Sequence, residues 1–118
     1  MSKVGFGRTG EDVACKYLIK NDYEIIERNY YFRGGEIDII AYDKSKSEVV
    51  FIEVKTRKNV SYGLPSEAVD TRKIKHIKKG IKIFLHMKKW DDKFVRVDVL
   101  ELLYRENKFF INHLKQVI

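Results

Sequence analysis

The sequence predicts an α/β fold in a single domain: a sheet of about five strands flanked by helices. Three observations support this. Residues 36–40 and 49–54 carry the short apolar and alternating patterns of strands. From Arg72 to Lys89 the apolar residues Ile74, Ile77, Ile81, Phe84 and Leu85 recur at spacings of three and four, as on one side of a helix. The chain has 118 residues, 44% hydrophobic and 35% charged, a globular composition in a length that buries about two-thirds of its unfolded surface.

In chain order, Thr9 or Gly10 is expected to cap a helix running to about Asn21, with Val13, Ala14, Tyr17 and Leu18 inward. Glu11 and Asp12 then fall in its first turn, where acids suit the helix dipole. Upstream, Gly5-Phe6-Gly7-Arg8-Thr9-Gly10 satisfies G-x-G-x-x-G, but a dinucleotide fingerprint follows a strand and only four residues precede this one. The segment reads as a flexible lead-in that places Arg8 near a phosphate. Tyr23 to Phe32 is a first strand, and Gly34-Gly35 a turn into a hairpin. After the hairpin, Tyr62-Gly63-Leu64-Pro65 is a loop and Ser66 a cap for the basic helix. Two last strands, near Phe94–Tyr104 and Lys108–Asn112, turn at Arg105-Glu106-Asn107.

The hairpin carries the most specific chemistry. Strand side chains alternate, so Glu36 and Asp38 share one side and Glu53 and Lys55 do likewise. Ile37, Ile39 and Ala41, with Val50, Ile52 and Val54, are expected on the other. The polar stretch Asp43-Lys44-Ser45-Lys46-Ser47 suits a turn, and a hairpin symmetric about the Ser45–Lys46 bond sets Asp38 opposite Glu53 and Glu36 opposite Lys55. Carboxylates so crowded repel each other, and Mg²⁺ or Mn²⁺, both suited to hard oxygen ligands, reverses the sign of that interaction. Lys55 projects beside such an ion, able to orient or deprotonate water or to neutralise a phosphate. The plainer alternative is a solvated sheet face with a Glu53–Lys55 or Glu36–Lys55 ion pair, at most ~1 kcal/mol. The apolar run Val49–Val54 argues for charges lining a cleft.

These residues resemble a known family. Asp38-Ile39-Ile40-Ala41 followed by Ile52-Glu53-Val54-Lys55-Thr56-Arg57 resembles the core of the PD-(D/E)xK nucleases, in the style of archaeal Holliday junction resolvases. More specifically, the chain resembles the YraN family of small bacterial proteins, a largely uncharacterised group described as endonucleases. The shared residues are Gly7-Arg8-x-Gly10-Glu11, Arg28-Asn29-Tyr30, Gly35-Glu36-Ile37-Asp38, Glu53-Val54-Lys55-Thr56-Arg57, Tyr62-Gly63-x-Pro65, Glu67-Ala68-Val69 and Lys73. Ile37 stands where the nuclease motif has proline. The resemblance implies a restriction-endonuclease-like core, with a mixed central sheet and a catalytic antiparallel hairpin. It implies a Mg²⁺- or Mn²⁺-dependent endonuclease, selective for branched or structured DNA. In it Asp38, Glu53 and the Val54 carbonyl hold the ion, Lys55 positions the attacking water and Glu11 completes the acidic set. Glu36 stands behind the ligands or pairs with Lys55 or Arg57. Resolvase-like enzymes pair as homodimers, and Phe109-Phe110-Ile111 or the hairpin edges offer surfaces for it.

Charge supports a polyanionic partner. Lys and Arg number 24 against 17 Asp and Glu, a net +7. Eight basic residues and no acidic one lie between Arg72 and Lys89, where a solvated helix face ordinarily mixes signs. Arg72, Lys73, Lys75, Lys79 and Lys82, with Arg8 and Arg57, are the expected phosphate contacts, to DNA before RNA. A membrane-surface helix is the weaker reading, because the apolar stripe is needed for the core. The N-terminal residues carry no apolar signal segment, Cys15 reads as a reduced core thiol, and the expected compartment is the cytoplasm. His76, His86 and His113 are scattered, against a zinc site. The competing functional reading is a nucleic-acid-binding module without activity, or a subunit acting with a partner nuclease.

Overall fold

The computed structural model describes residues 3–58 and 71–118, with side chains from Thr9 onward in the first helix. The elements are α1 (Lys3–Lys20), β1 (Tyr23–Phe32), β2 (Gly35–Asp43), β3 (Glu48–Arg57), α2 (Thr71–Lys88), β4 (Val95–Arg105) and β5 (Lys108–Leu114). They form one five-stranded sheet in the order β1-β2-β3-β4-β5. Every neighbouring pair is antiparallel except β3 and β4, which run parallel. A parallel neighbour needs a crossover, and α2 lies in it. The sheet is therefore mixed, as expected. Among the described residues no helix is long and apolar enough to cross a membrane. The expected loop at Tyr62–Pro65, the Ser66 cap and the motif residues Glu67-Ala68-Val69 lie outside the described residues.

One helix covers each face. Ala14, Cys15 and Leu18 of α1 pack with Ile39, Ala41, Val50, Ile52, Leu100 and Leu102. Ile77, Ile81 and Phe84 of α2 pack with Ile37, Ile40, Val49, Phe51 and Val97. Cys15 is buried and free, and burial pushes its thiol above the ordinary value. β3 is closed on both sides through Glu53, which explains its unbroken apolar run.

Two local expectations need correction. The first helix begins at Lys3, so Gly5 to Gly10 form helix rather than a lead-in, and Glu11 and Asp12 lie mid-helix. Glycine costs up to about 1 kcal/mol in a helix interior, but at Gly10 close approach requires it. A Cβ there would overlap the Thr56 side chain of β3. The second correction concerns Ile37, which faces α2 while Ile39 and Ala41 face α1. The reason lies in the pairing strand. Arg28 pairs with Ile39 and Tyr30 with Ile37, and Asn29 between them has φ 52°, in the left-handed region. Left-handed backbone interrupts the pleat. Arg28 consequently reaches α1, and Tyr30 packs edge-to-face on Phe84 of α2. Both strands switch faces together, at Asn29 and Asp38.

The turn end of the β2–β3 hairpin holds a buried charged group that sequence reading missed. Arg96, 6% exposed, uses all five of its N–H donors. Nε and Nη2 donate to Asp98 at 2.9 and 3.0 Å, and Nη1 donates to Asp43 and Glu48 at 3.0 Å each. Nη2 also donates to Tyr23 Oη at 2.8 Å. Asp98 accepts the Gln116 N–H at 2.9 Å and meets His113 Nε2 at 2.7 Å, whose Nδ1 bonds Tyr17 Oη at 2.9 Å. Asp43 also organises the hairpin turn, accepting from Ser45 N–H at 3.1 Å and Ser45 Oγ–H at 2.7 Å. Burial pushes the Asp43 carboxyl up, but Ser45 and the Arg96 guanidinium outweigh it and hold it down at about 2. Among the described residues, no buried side-chain nitrogen or oxygen lacks a partner.

Candidate active site

The opposite end of the same hairpin gathers the predicted acids. The pairs from Asp43↔Glu48 to Ile39↔Ile52 hold the expected register, and the pairing ends there, one step short of Asp38 and Glu53. At that step the ladder gives way to a side chain. The Val54 N–H donates to Asp38 Oδ2 at 2.8 Å. Asp38 therefore lies where β2 and β3 part, fixed by the backbone of the residue between Glu53 and Lys55.

Alternation along β3 sends Glu53 and Lys55 to the α2 side with Phe51. Glu53 is only 6% exposed. Burial, and then the charge of Asp38, push its carboxyl up to about 7, against the pull of Lys73 and Lys55. Asp38 is raised too, by burial first and by Glu11 among its neighbours, while the Val54 N–H and hydrogen bonds with Glu36 and Glu53 oppose the shift. Lys55 is depressed, by burial first and then by the Lys73 ammonium beside it. Two carboxyls and an amine thus meet with their charged forms disfavoured, so the carboxyls readily take up a proton or a cation and the amine readily gives its proton up.

The other expected residues surround this group. Lys73 of α2 places Nζ 3.4 Å from Glu53 Oε2. Gly35, Glu36, Glu53, Arg72, Lys73 and His76 line an open cleft between the sheet and α2. Glu36 is exposed on its wall. Arg72, Lys75, Lys79 and Lys82 are exposed on α2, at the three- and four-residue spacing of one flank. Arg57 pairs with Glu101 of β4 at 3.7 Å. Glu11 is half-buried and lies 3.8 Å from Arg28, which makes a shorter bond to Asp12 at 2.8 Å. The Arg8 side chain lies outside the described residues.

The donor set suits a small hard cation. Among the described residues, no three His, Cys, Asp or Glu side chains form a metal-binding group. The candidates are therefore the Asp38–Glu53 pair and the backbone. Mg²⁺ is ordinarily held by one or two carboxylates, with waters and substrate phosphates completing its shell. The chemistry of this pair fits that pattern and would not make a closed zinc site.

Among solved structures, an EndoMS–dsDNA2 complex matches 75% of this chain and 34% of that one, at 16% identity and a TM-score of 0.43. A repair endonuclease from Pyrococcus abyssi matches 91% of this chain and 41% of that one, at 18% identity and a TM-score of 0.47. This chain spans less than half of either. Among curated relatives, a UPF0102 protein of Carboxydothermus hydrogenoformans is 41% identical over 118 residues, 100% of this chain and 98% of that protein. A UPF0102 protein of Caldicellulosiruptor bescii is 48% identical over 97 residues, 81% of this chain and 80% of that protein. The model of the Uncharacterised protein family UPF0102 matches residues 10–102, and the chain belongs to that family, the YraN group its motifs resemble.

Proposed function

We propose that this protein is a Mg²⁺- or Mn²⁺-dependent nuclease that hydrolyses phosphodiester bonds, with branched or structured DNA as its preferred substrate. The observation that carries this reading is the buried Glu53, with the half-buried Asp38 beside it, at an open cleft whose other wall is cationic. Asp38, Glu53 and the Val54 carbonyl would hold the cation. Such a cation, when bound, supplies Lewis-acid polarisation of the phosphoryl group and offsets its charge. The Val54 N–H fixes one Asp38 oxygen and so orients the carboxylate. Lys55, with its ammonium form disfavoured, is suited to accept a proton from the attacking water. Arg72, Lys75, Lys79 and Lys82 would hold the strand through its phosphates, and Glu11 would act on Asp38 through its charge. A homodimer, if formed, has an edge strand available in β5, where Phe110 is exposed.

The test is cleavage of labelled single-stranded, duplex, flap and four-way-junction DNA with Mn²⁺, Mg²⁺ or EDTA, with Asp38→Asn beside the wild type. Metal-dependent cutting that disappears in the variant is expected, and cutting retained by Asp38→Asn would remove the assigned role. A second reading, a binding module without activity, is favoured by one observation: Glu11 lies beside Arg28 and does not complete a three-acid group. It predicts salt-sensitive DNA binding with no cleavage under any of these conditions.

A further inference from the structure

Lys73 is placed differently from the other cations of α2. It opens the inward stripe that continues through Ile77, Gly80 and Phe84, so its stem runs toward the sheet. Its Nζ lies 3.4 Å from Glu53 Oε2, with the lysine side chain 29% exposed and the glutamate side chain 8%. The carboxylate assigned above to a divalent cation thus already faces a cation that belongs to the protein. Both cannot occupy the same side of Glu53 without strong repulsion between the divalent cation and the Lys73 ammonium.

We propose that Lys73 is the exchangeable counter-ion of Glu53, a positioning residue that couples cation binding to nucleic-acid binding. It holds the Glu53 carboxylate while no divalent cation is bound. When the cation enters, the ammonium leaves Glu53, and its flexible four-carbon stem carries it to the cleft mouth beside Arg72 and His76, where it would meet a substrate phosphate. Each ligand then favours the other. A divalent cation frees Lys73 for phosphate, and a phosphate that draws Lys73 away opens Glu53 to the cation. The two affinities must change by the same factor. This inference rests on the metal-dependent reading above.

The experiment compares the wild type with Lys73→Met and Lys73→Gln, two variants so that a folding failure in one leaves the other. Calorimetry measures Mn²⁺ binding to each protein alone, and anisotropy measures a labelled flap duplex with and without Ca²⁺. Both variants should bind Mn²⁺ about tenfold more tightly than the wild type, a size typical of coupled sites. Ca²⁺ should strengthen duplex binding by the wild type and leave it unchanged in the variants. Equal or weaker Mn²⁺ binding by the variants would overturn the inference while leaving the metal site in place. Tighter Mn²⁺ binding with the Ca²⁺ effect on duplex retained would overturn the transfer to phosphate. No Mn²⁺ uptake by any of the three proteins would overturn both this inference and the metal-dependent function.

Discussion

At the turn end of the β2–β3 hairpin, Asp43 and Glu48 share one guanidinium whose donors are all used. At the open end, Asp38 and Glu53 crowd together beside the flexible side chains of Lys73 and Lys55. The two ends are built from the same pair of strands and bury carboxyls to a similar degree, with Asp43 1% and Glu53 6% exposed. Their chemistry diverges: one carboxyl is held at about 2, the other pushed up to about 7. Burial raises both, so the opposite signs of the two shifts come from their partners. The difference is geometric. Arg96 presents a planar fork with a fixed partner for each donor, whereas Lys73 and Lys55 are point charges on flexible stems. A saturated cluster of the first kind holds a fold together, and a frustrated one of the second kind is available for ligands.

Arg96→Met tests the turn end most severely. It strands Asp43, Asp98 and Glu48 and should cost about 3–5 kcal/mol in urea unfolding, as removal of one partner from buried ion pairs does. A loss under ~1 kcal/mol would mean the cluster is not what holds this end.

Next in size is the pH response of the open end without divalent cations. The Glu53 carboxyl is raised in the folded state, so its stabilising contribution is present below about 4.5 and is lost as pH rises through about 7. Stability should fall by about 1–3 kcal/mol across that window, and Glu53→Gln should flatten the fall. Saturating Mg²⁺ should restore stability above pH 7 in the wild type alone. A pH-independent wild type would sink the claim of frustration.

The turn end should respond with the opposite sign. The folded Asp43 carboxyl is depressed, so its contribution is present above about 3.8 and is lost as pH falls through about 2. Acid titration of Asp43→Asn should lack about 1–2 kcal/mol of the wild-type loss between those values. The smallest effect sharpens the boundary of the open cluster. Glu36 lies on the cleft wall but is exposed, so Glu36→Gln should change stability by no more than about 0.5 kcal/mol.

The open cluster was far more legible in the sequence than the closed one. Hairpin symmetry alone brought Asp38 and Glu53 to the same end of the hairpin, because the register in a tight hairpin depends on where the turn lies. β1 spans the expected Tyr23–Phe32, and α2, Thr71–Lys88, carries the three- and four-residue stripe from Ile74 to Leu85. The closed cluster joins residues 23, 43, 48, 96, 98 and 113, which only the parallel β3–β4 pairing brings together. Its members looked like alternating strand polars and a scattered histidine. The face switch at Asn29 and Asp38 was hidden for another reason: period-two counting assumes an unbroken pleat, and a left-handed asparagine breaks it. The start of α1 was misplaced because glycines normally end helices, whereas Gly10 serves a close contact with Thr56. In the sequence Lys73 is indistinguishable from the other cations of the basic helix. Its approach to Glu53 depends on how the crossover lays α2 on the sheet.

The single parallel joint in the sheet also has a consequence for the order of assembly. β1, β2 and β3 are linked by short turns and can pair through local contacts. β4 can dock on β3 only after the chain between residues 58 and 94 has looped back, a slow closure of the non-local kind. Arg96 arrives with β4, and its bonds to Tyr23, Asp43 and Glu48 lock the latecomer to the early meander. A clasp that closes after the rate-limiting step acts on escape from the native state rather than on entry to it. In stopped-flow kinetics, Arg96→Met should therefore speed unfolding while leaving the refolding rate nearly unchanged.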